Sequence, residues 1–512
     1  MNFLQQNFYK KFSIPLILFV FSFAIFSYNL EGQGIGIDEW FHYGFAMNFY
    51  DLVKEGNFLD ECMTGNGDCK TVDLKCPGPI HRVGSGGLVK GIFVGLGDEL
   101  FSENERVHYL SPDLPCRPIH LGIEERGVNI PTQDELAAAR FFVPIFSALT
   151  IVIAFQIGKL LFNKSIGITF AVILLFHSLW FYFSRTVLFE VFLGFFMLLT
   201  ILLTLYSFDH NKIKYKYLIL ASVIFALAVN TKPTALEIFP FIIGIILLRD
   251  FWNNKIIFSD LKRKFSKKAI FLVFIFISIF IISLFATFPY YWLDPLGQTL
   301  LQIESVKSEN YSGLTLDLNK KIILPMIESA TIAPIIDSYY YIFFPDEIPQ
   351  SVTYGHTFSS LPLSLFFFVG LFWIFYRIRR KQITYAEFLI FIWYACVYSI
   401  LTPLTESYNT SRHFIPIIFP MILIMAYGLN NFLTHTFSKK IKTSFWIFVV
   451  ATHSITYLVF WDIIYFKPEI ILNLPLLLNL RESFSHPIVL ISGVIFIIVF
   501  LLLTYYRIRK IS

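Results

Sequence analysis

Long apolar runs alternate with short polar breaks along this chain, and the runs set the architecture. A helix that crosses a bilayer needs about 20 mostly apolar residues. Runs of that kind fall at 12–29, 137–162, 165–183, 186–207, 217–231, 233–248, 269–289, 359–376, 384–402, 412–430, 444–462 and 487–506. They predict an all-α polytopic membrane protein with about 12 transmembrane helices. The members at 217–231 and 233–248 are the shortest. The first run is long and no small-residue cleavage site follows it, so it reads as a span and not as a cleavable leader.

Two stretches interrupt the rhythm, 29–136 and 290–358, and both are far longer than ordinary connectors. The rest reads as one membrane domain over 1–512. Within the first loop, Gly36–Gly56 (GIDEWFHYGFAMNFYDLVKEG) has apolar residues at helical spacing from Trp40 to Leu52. That pattern predicts an amphipathic helix lying in the membrane interface. Residues 57–130 are rich in Gly, Pro and Cys and carry few signals of regular structure. Thr132–Phe142 (TQDELAAARFF) reads as a capped helix running into the second span. Near the end, Ile471–Leu480 (ILNLPLLLNL) is too short to cross.

Composition narrows the class. Of 512 residues, 56% are hydrophobic, 18% aromatic and only 15% charged, with 60 Phe. A soluble protein carries roughly 25% charged residues. This chain cannot cover a globule with charge, which excludes a soluble enzyme, a disordered protein and a nucleic-acid binder. The placement of charge says more than its total. The short loops that fall on one side carry 23 basic and three acidic residues, whereas 29–136 carries 8 basic and 18 acidic, and 290–358 carries 3 and 8. Basic residues stay cytoplasmic. Both termini are therefore expected inside, and both long loops outside, with the protein in the cell membrane, or in the endoplasmic reticulum membrane of a eukaryote.

Cys62, Cys69, Cys76 and Cys116 all lie in the first outer loop. An even set in an oxidising compartment predicts two disulfides, with all three pairings open. A four-cysteine zinc site is the rival, and it lacks a CxxC knuckle here. Asn310–Ser312 and Asn409–Ser411 match the N-glycosylation pattern outside the membrane.

Four cations, Arg140, Arg185, Lys232 and Arg412, fall at the outer ends of different spans. Charge beside hydrocarbon faces protein, water or a ligand, unless it snorkels to the interface. Arg185, Lys232 and Arg412 on separate helices suit a shared anion site. Acidic residues occur at the same depth. Asp38 and Glu39 follow the first span, and the plain alternative for Asp38 is a helix N-cap. Glu190 and Glu237 each follow a cation by five residues, which predicts the internal pairs Arg185–Glu190 and Lys232–Glu237. A carboxylate at the outer surface accepts a proton from a hydroxyl or amine. Nearby cations stabilise a phosphate leaving group, and the bilayer holds a lipid tail. Together they suit transfer of a group from a lipid phosphate to an outside acceptor.

Five segments in order then carry a resemblance: Gly36–Gly44 (GIDEWFHYG), Asp134–Leu149 (DELAAARFFVPIFSAL), Ser184–Phe196 (SRTVLFEVFLGFF), Ala226–Pro240 (ALAVNTKPTALEIFP) and Arg412–Leu429 (RHFIPIIFPMILIMAYGL). They resemble the GT-C glycosyltransferases, in the glycosyltransferase family 39-like branch of dolichyl-phosphate-mannose protein mannosyltransferases and lipid A aminoarabinose transferases. The resemblance implies Asp38 as the catalytic base and Glu39 as its helper. It implies Arg185, Lys232 and Arg412 at the donor phosphate, with His413 beside them. His42, His356, Glu190 and Glu237 are further substrate-binding candidates, each lone His having a structural role as its alternative. The donor would be a polyprenyl- or dolichyl-phosphate sugar, the reaction inverting, and no metal or cofactor required. The acceptor would be an extracytoplasmic protein hydroxyl, lipid or glycan. The chain departs from many relatives in lacking a His-Pro-Pro-Leu-like stretch, having only Pro77–His81 (PGPIH) and Arg117–His120 (RPIH). A transporter is the main rival by span number, but transporters place polar sites near the midplane in repeated halves. A flippase-like protein without transferase activity is the other.

Overall fold

The computed structural model describes residues 3–31, 35–36, 39–59, 88–102, 131–208, 213–249, 266–297, 299–300, 335–343, 352–357, 361–404, 415–436, 441–451 and 454. Asp38, Arg412, His413, the four loop cysteines and the span at 487–506 lie outside these residues.

Most of the described chain is helical. The order is α1 (Phe3–Ser27), α2 (Glu39–Lys54), α3 (Leu88–Phe101), α4 (Gln133–Arg140), α5 (Val143–Leu161), α6 (Lys164–Leu175), α7 (Ser178–Phe183), α8 (Phe189–Ser207) and α9 (Tyr215–Thr231). A 3-10 turn (Pro233–Ile238) follows, then α10 (Phe239–Leu247), α11 (Lys267–Ala286), α12 (Leu361–Arg379), α13 (Tyr385–Leu404), α14 (Ile415–Thr436) and α15 (Ile441–Ala451). Among the described residues, four stretches are long and apolar enough to cross a membrane: Gln133–Leu161, Phe189–Ser207, Lys267–Ala286 and Ile415–His435. Shorter apolar helices account for most of the other predicted spans, and the run 165–183 divides at Phe176–His177 into α6 and α7.

Local chemistry explains several boundaries. Thr132 and Glu135 form a reciprocal capping box at the start of α4, with the Thr132 N–H donating to Glu135 at 2.7 Å. Asn163 caps α6 and Ser266 caps α11 through their side-chain oxygens. Pro233 disfavours helical backbone at the residue before it, and Lys232 is extended at φ −158, ψ 127. The helix therefore stops at Thr231 and resumes as a 3-10 turn.

The core is a continuous apolar cluster in which α8 is packed by α5, α9 and α14, with Trp180 and Phe419 in edge-on contact at 5.6 Å. Helices α12 and α14 pack closely where Gly428 faces the Phe366 carbonyl, leaving no room for a Cβ. Leu16, Ile17, Val20 and Phe21 of α1 and Ile270, Phe271, Phe274 and Ile282 of α11 are exposed. Such apolar strips are the surfaces that lipid covers in a multi-pass membrane protein.

Two features depart from the expected all-helical, loosely looped picture. A three-stranded antiparallel sheet joins β1 (Ile35–Gly36), β2 (Ile335–Phe343) and β3 (Val352–Thr357), in that order. Its register sets Ile35 opposite Phe343 and His356 opposite Ile336, so the second long loop returns to the backbone just ahead of the acidic motif. The second departure is α2. It is a helix over the expected residues, and its apolar face packs against protein. His42 to Met47 are buried, and Tyr43, Ala46 and Met47 pack with Val94, Leu136, Ala139 and Val187. Helices α3 and α4 cover the face that the sequence pattern assigns to lipid.

Candidate active site

Three interruptions of the helical chain gather charge where α1 ends and α8 begins. The first joins α1 to α2. Glu39 opens α2 and is wholly buried, as is Arg140 at the end of α4. Arg140 Nε donates to Glu39 Oε1 at 2.8 Å and Nη2 to Oε2 at 2.6 Å. The backbone N–H of Val187 adds a third bond to Oε1 at 2.8 Å. Arg140 Nη1 also reaches the Leu30 carbonyl at 3.1 Å. A bidentate guanidinium–carboxylate pair is the arrangement that tolerates burial. Both Glu39 oxygens are therefore engaged, by the Arg140 guanidinium and the Val187 backbone.

The second interruption is the turn between α7 and α8. Here Arg185 donates to the carbonyls of Phe26 at 3.0 Å, Asn29 at 2.9 Å and Ile25 at 3.4 Å. The last carbonyls of a helix lack partners of their own. α1 has no basic residue in its last turn, and a distant arginine supplies one. Arg185 thus fastens the end of α1, and its Nη atoms are occupied by backbone.

The third interruption is at Lys232–Pro233. Lys232 Nζ donates to Glu190 Oε1 at 2.9 Å, with side-chain exposures of 16% and 1%. Glu190 sits in the first turn of α8, where the helix end favours a carboxylate. The pairing is therefore crossed relative to the sequence expectation. Arg185 is drawn to α1, Glu190 turns to Lys232, and Lys232 and Glu237 interact electrostatically with no hydrogen bond between them. Glu237 is buried on the 3-10 turn, and neither of its oxygens has a hydrogen-bond partner.

Lys90 is the residue that sequence reasoning missed. It lies on α3 inside the Gly-rich stretch expected to be irregular. Nζ is 3.3 Å from the His42 carbonyl, 3.4 Å from His42 Nδ1 and 3.9 Å from the centre of the Phe189 ring. The His42 ring meets the same Phe189 ring at 4.4 Å. Glu190 is close enough to act on Lys90 electrostatically. Burial lowers the Lys90 ammonium to about 7, and Glu190 opposes that shift. Glycines explain both the helix and why it was hard to see. A Cβ at Gly91 or Gly95 would overlap Phe49 or Tyr50 of α2, and one at Gly97 would overlap the Ala138 carbonyl. The same glycines depress helix propensity. The available signal was a single lysine set in an apolar run, Leu88–Gly97.

The structure thus brings Glu39, His42, Arg185, Glu190, Lys232 and Glu237 into one region and adds Arg140 and Lys90. His356 is placed by strand register alone. Among the described residues no group of three or more His, Cys, Asp or Glu side chains is arranged to hold a metal ion.

Residues 128–288 match the family described as dolichyl-phosphate-mannose-protein mannosyltransferase, about a third of the chain. That stretch contains Arg140, Arg185, Glu190, Lys232 and Glu237 and ends before α12. No curated protein matches the chain. Among solved structures, ArnT from Cupriavidus metallidurans bound to undecaprenyl phosphate is similar at TM-score 0.47 and 11% identity, over 88% of this chain and 70% of that one. The archaeal oligosaccharyltransferase AglB from Archaeoglobus fulgidus, in complex with an inhibitory peptide and a dolichol-phosphate, is similar at TM-score 0.46 and 13% identity. The latter similarity covers 88% of this chain and 55% of that one. The family match covers the stretch from Arg140 to Glu237 and agrees there with the segments singled out in the sequence.

Proposed function

We propose that this chain is a GT-C glycosyltransferase that moves a sugar from a polyprenyl- or dolichyl-phosphate donor to an acceptor on the extracytoplasmic face, with inversion and with Asp38 as base. The observation that carries this reading is Lys90. It is a buried ammonium whose hydrogen-bond partners are the backbone carbonyl and the ring of His42, and neither is a carboxylate. A buried cation without a bound anion is costly, and a lipid phosphate at that point would restore the balance. Lys232, partly exposed at a helix break, bonds the same Glu190. Arg412 and His413 complete the phosphate site in this reading. Arg185 contributes by fixing the end of α1, from which Asp38 follows.

The chemistry is then ordered by charge. The acceptor oxygen or nitrogen attacks the anomeric carbon from the side opposite the phosphate. The bond from that carbon to the phosphate oxygen breaks, and its electron pair leaves with the lipid phosphate. Negative charge grows on that group, and the lysines stabilise it as it forms. Asp38 takes the proton that the acceptor loses. The apolar helices beside the site hold the polyprenyl chain. The acceptor is a protein hydroxyl, a lipid or a glycan, in each case outside the cytoplasm.

Transfer from a labelled polyprenyl-phosphate sugar by the purified protein in nanodiscs tests the reading. Asp38→Asn is expected to lower turnover by roughly 10²–10⁴ with the melting temperature unchanged. Full turnover in that variant removes Asp38 as base. Binding of the donor without release of sugar by the wild type points to a flippase-like protein.

A further inference from the structure

The geometry points to Glu237, with Glu190 and Thr234, as the surface that hydrogen-bonds the hydroxyl groups of the transferred sugar. The inference rests on the function proposed above and adds the part of the donor that this side of the site recognises. Its basis is a surplus of acceptors. Glu237 is 3% exposed, and both its carboxylate oxygens are buried without a hydrogen-bond partner. Glu190 is 1% exposed, and its Oε2 is likewise unpartnered while Lys232 holds Oε1. The Thr234 hydroxyl, on the same 3-10 turn as Glu237, has no partner either. Lys232 draws these groups together, bonded to one carboxylate and within electrostatic range of the other.

Buried acceptors left empty are costly, so a native site of this kind implies a ligand that fills them. The ligand must bring donors. A phosphate brings chiefly acceptors, which cannot satisfy the empty acceptor oxygens of Glu190 and Glu237. A sugar brings several O–H donors, and a carboxylate can take two of them at once from neighbouring carbons. The two ends of the donor therefore separate along the site. Lys90 suits the phosphate, and the Glu237 side suits the sugar. Glu237 lies on the 3-10 turn that follows the Pro233 break, five residues past Lys232.

The test compares binding of bare polyprenyl phosphate with a panel of polyprenyl-phosphate hexoses and pentoses, on the wild type and Glu237→Gln in nanodiscs. For the sugar the wild type prefers, the substitution is expected to weaken binding about 10- to 100-fold, with bare lipid phosphate held within about twofold. Equal weakening of both probes, or of neither, overturns the inference. If Glu237→Gln does not fold, Thr234→Val is read in the same way, with a smaller selective loss expected and no change overturning it. A wild type that transfers sugar while Glu237→Gln keeps full sugar selectivity sinks this inference alone. A wild type that gains nothing from any sugar over bare lipid phosphate sinks this inference and the proposed function together.

Discussion

Two buried carboxylate–cation groups flank the start of α8, and they differ in how completely they are satisfied. Glu39 and Arg140 close on each other bidentately, with Val187 and Leu30 taking part. Glu190 and Lys232 share a single hydrogen bond, with Glu237 and Lys90 nearby and three carboxylate oxygens empty. Burial and charge are common to both. The difference is the unfilled hydrogen bonding, and it separates a group closed on itself from the one proposed to take the donor. The largest expected effect tests the closed group. Arg140→Met leaves Glu39 buried and uncompensated, which costs about 3–5 kcal/mol. Thermal melting in detergent should show a clear drop, and replacing Glu39 with Leu in the same chain should recover part of it. A melting temperature equal to wild type in Arg140→Met breaks the comparison.

The open group should respond less in stability and more in binding. Lys232→Met removes one charge-assisted bond from a partly exposed lysine, a loss of about 1–3 kcal/mol. Its affinity for bare polyprenyl phosphate should fall at least tenfold, whereas Arg140→Met protein that remains folded should bind the same probe within a few-fold. If Lys232→Met binds lipid phosphate as the wild type does, the ligand-binding half of the comparison is lost.

How much of this was legible in the sequence follows from the same physics. The helices from α5 to α11 were visible because hydrocarbon demands long apolar runs. The start of α4 was visible because Thr132 and Glu135 form a cap whose parts sit three residues apart. The break at Lys232 was foreshadowed by Pro233. Pairing was not legible. Counting five residues from each cation favoured Arg185–Glu190, yet the Arg185 side chain reaches back to the carbonyls of α1, more than 150 residues earlier. Nor was the burial of α2, because the helix that covers it, α3, hides in glycines that serve close packing. Lys90 disappeared with it into a count of outer-loop charges. The sheet was missed because its strands lie in an aromatic, acidic loop that was read by charge and not by alternation. Asp38, Arg412, His413 and the cysteines lie outside the described residues, and their roles stand as proposals.

Lys90 gives the finest division between the two groups, because stability and binding should move in opposite directions with pH. Its ordinary value of 10.5 is lowered to about 7 in the folded chain by burial. Below about pH 7 both folded and unfolded chains hold the proton, and the folded chain bears the full cost of a buried ammonium. Between about 7 and 10.5 the unfolded chain binds the proton and the folded chain does not, so stability rises with pH, by at most about 1.4 kcal/mol per unit. Donor binding should run the other way. A phosphate needs the charged lysine, so affinity for polyprenyl phosphate should weaken as pH climbs above 7, by at most about tenfold per unit. His42 on α2 and Glu190 on α8 are the groups that face the same ammonium. Lys90→Met should therefore flatten both trends between pH 7 and 9, while melting no lower than wild type at pH 7. Melting curves and lipid-phosphate titrations across that range read the two slopes separately. A purely structural lysine would give the first slope without the second, and a lysine that keeps its charge throughout would give neither.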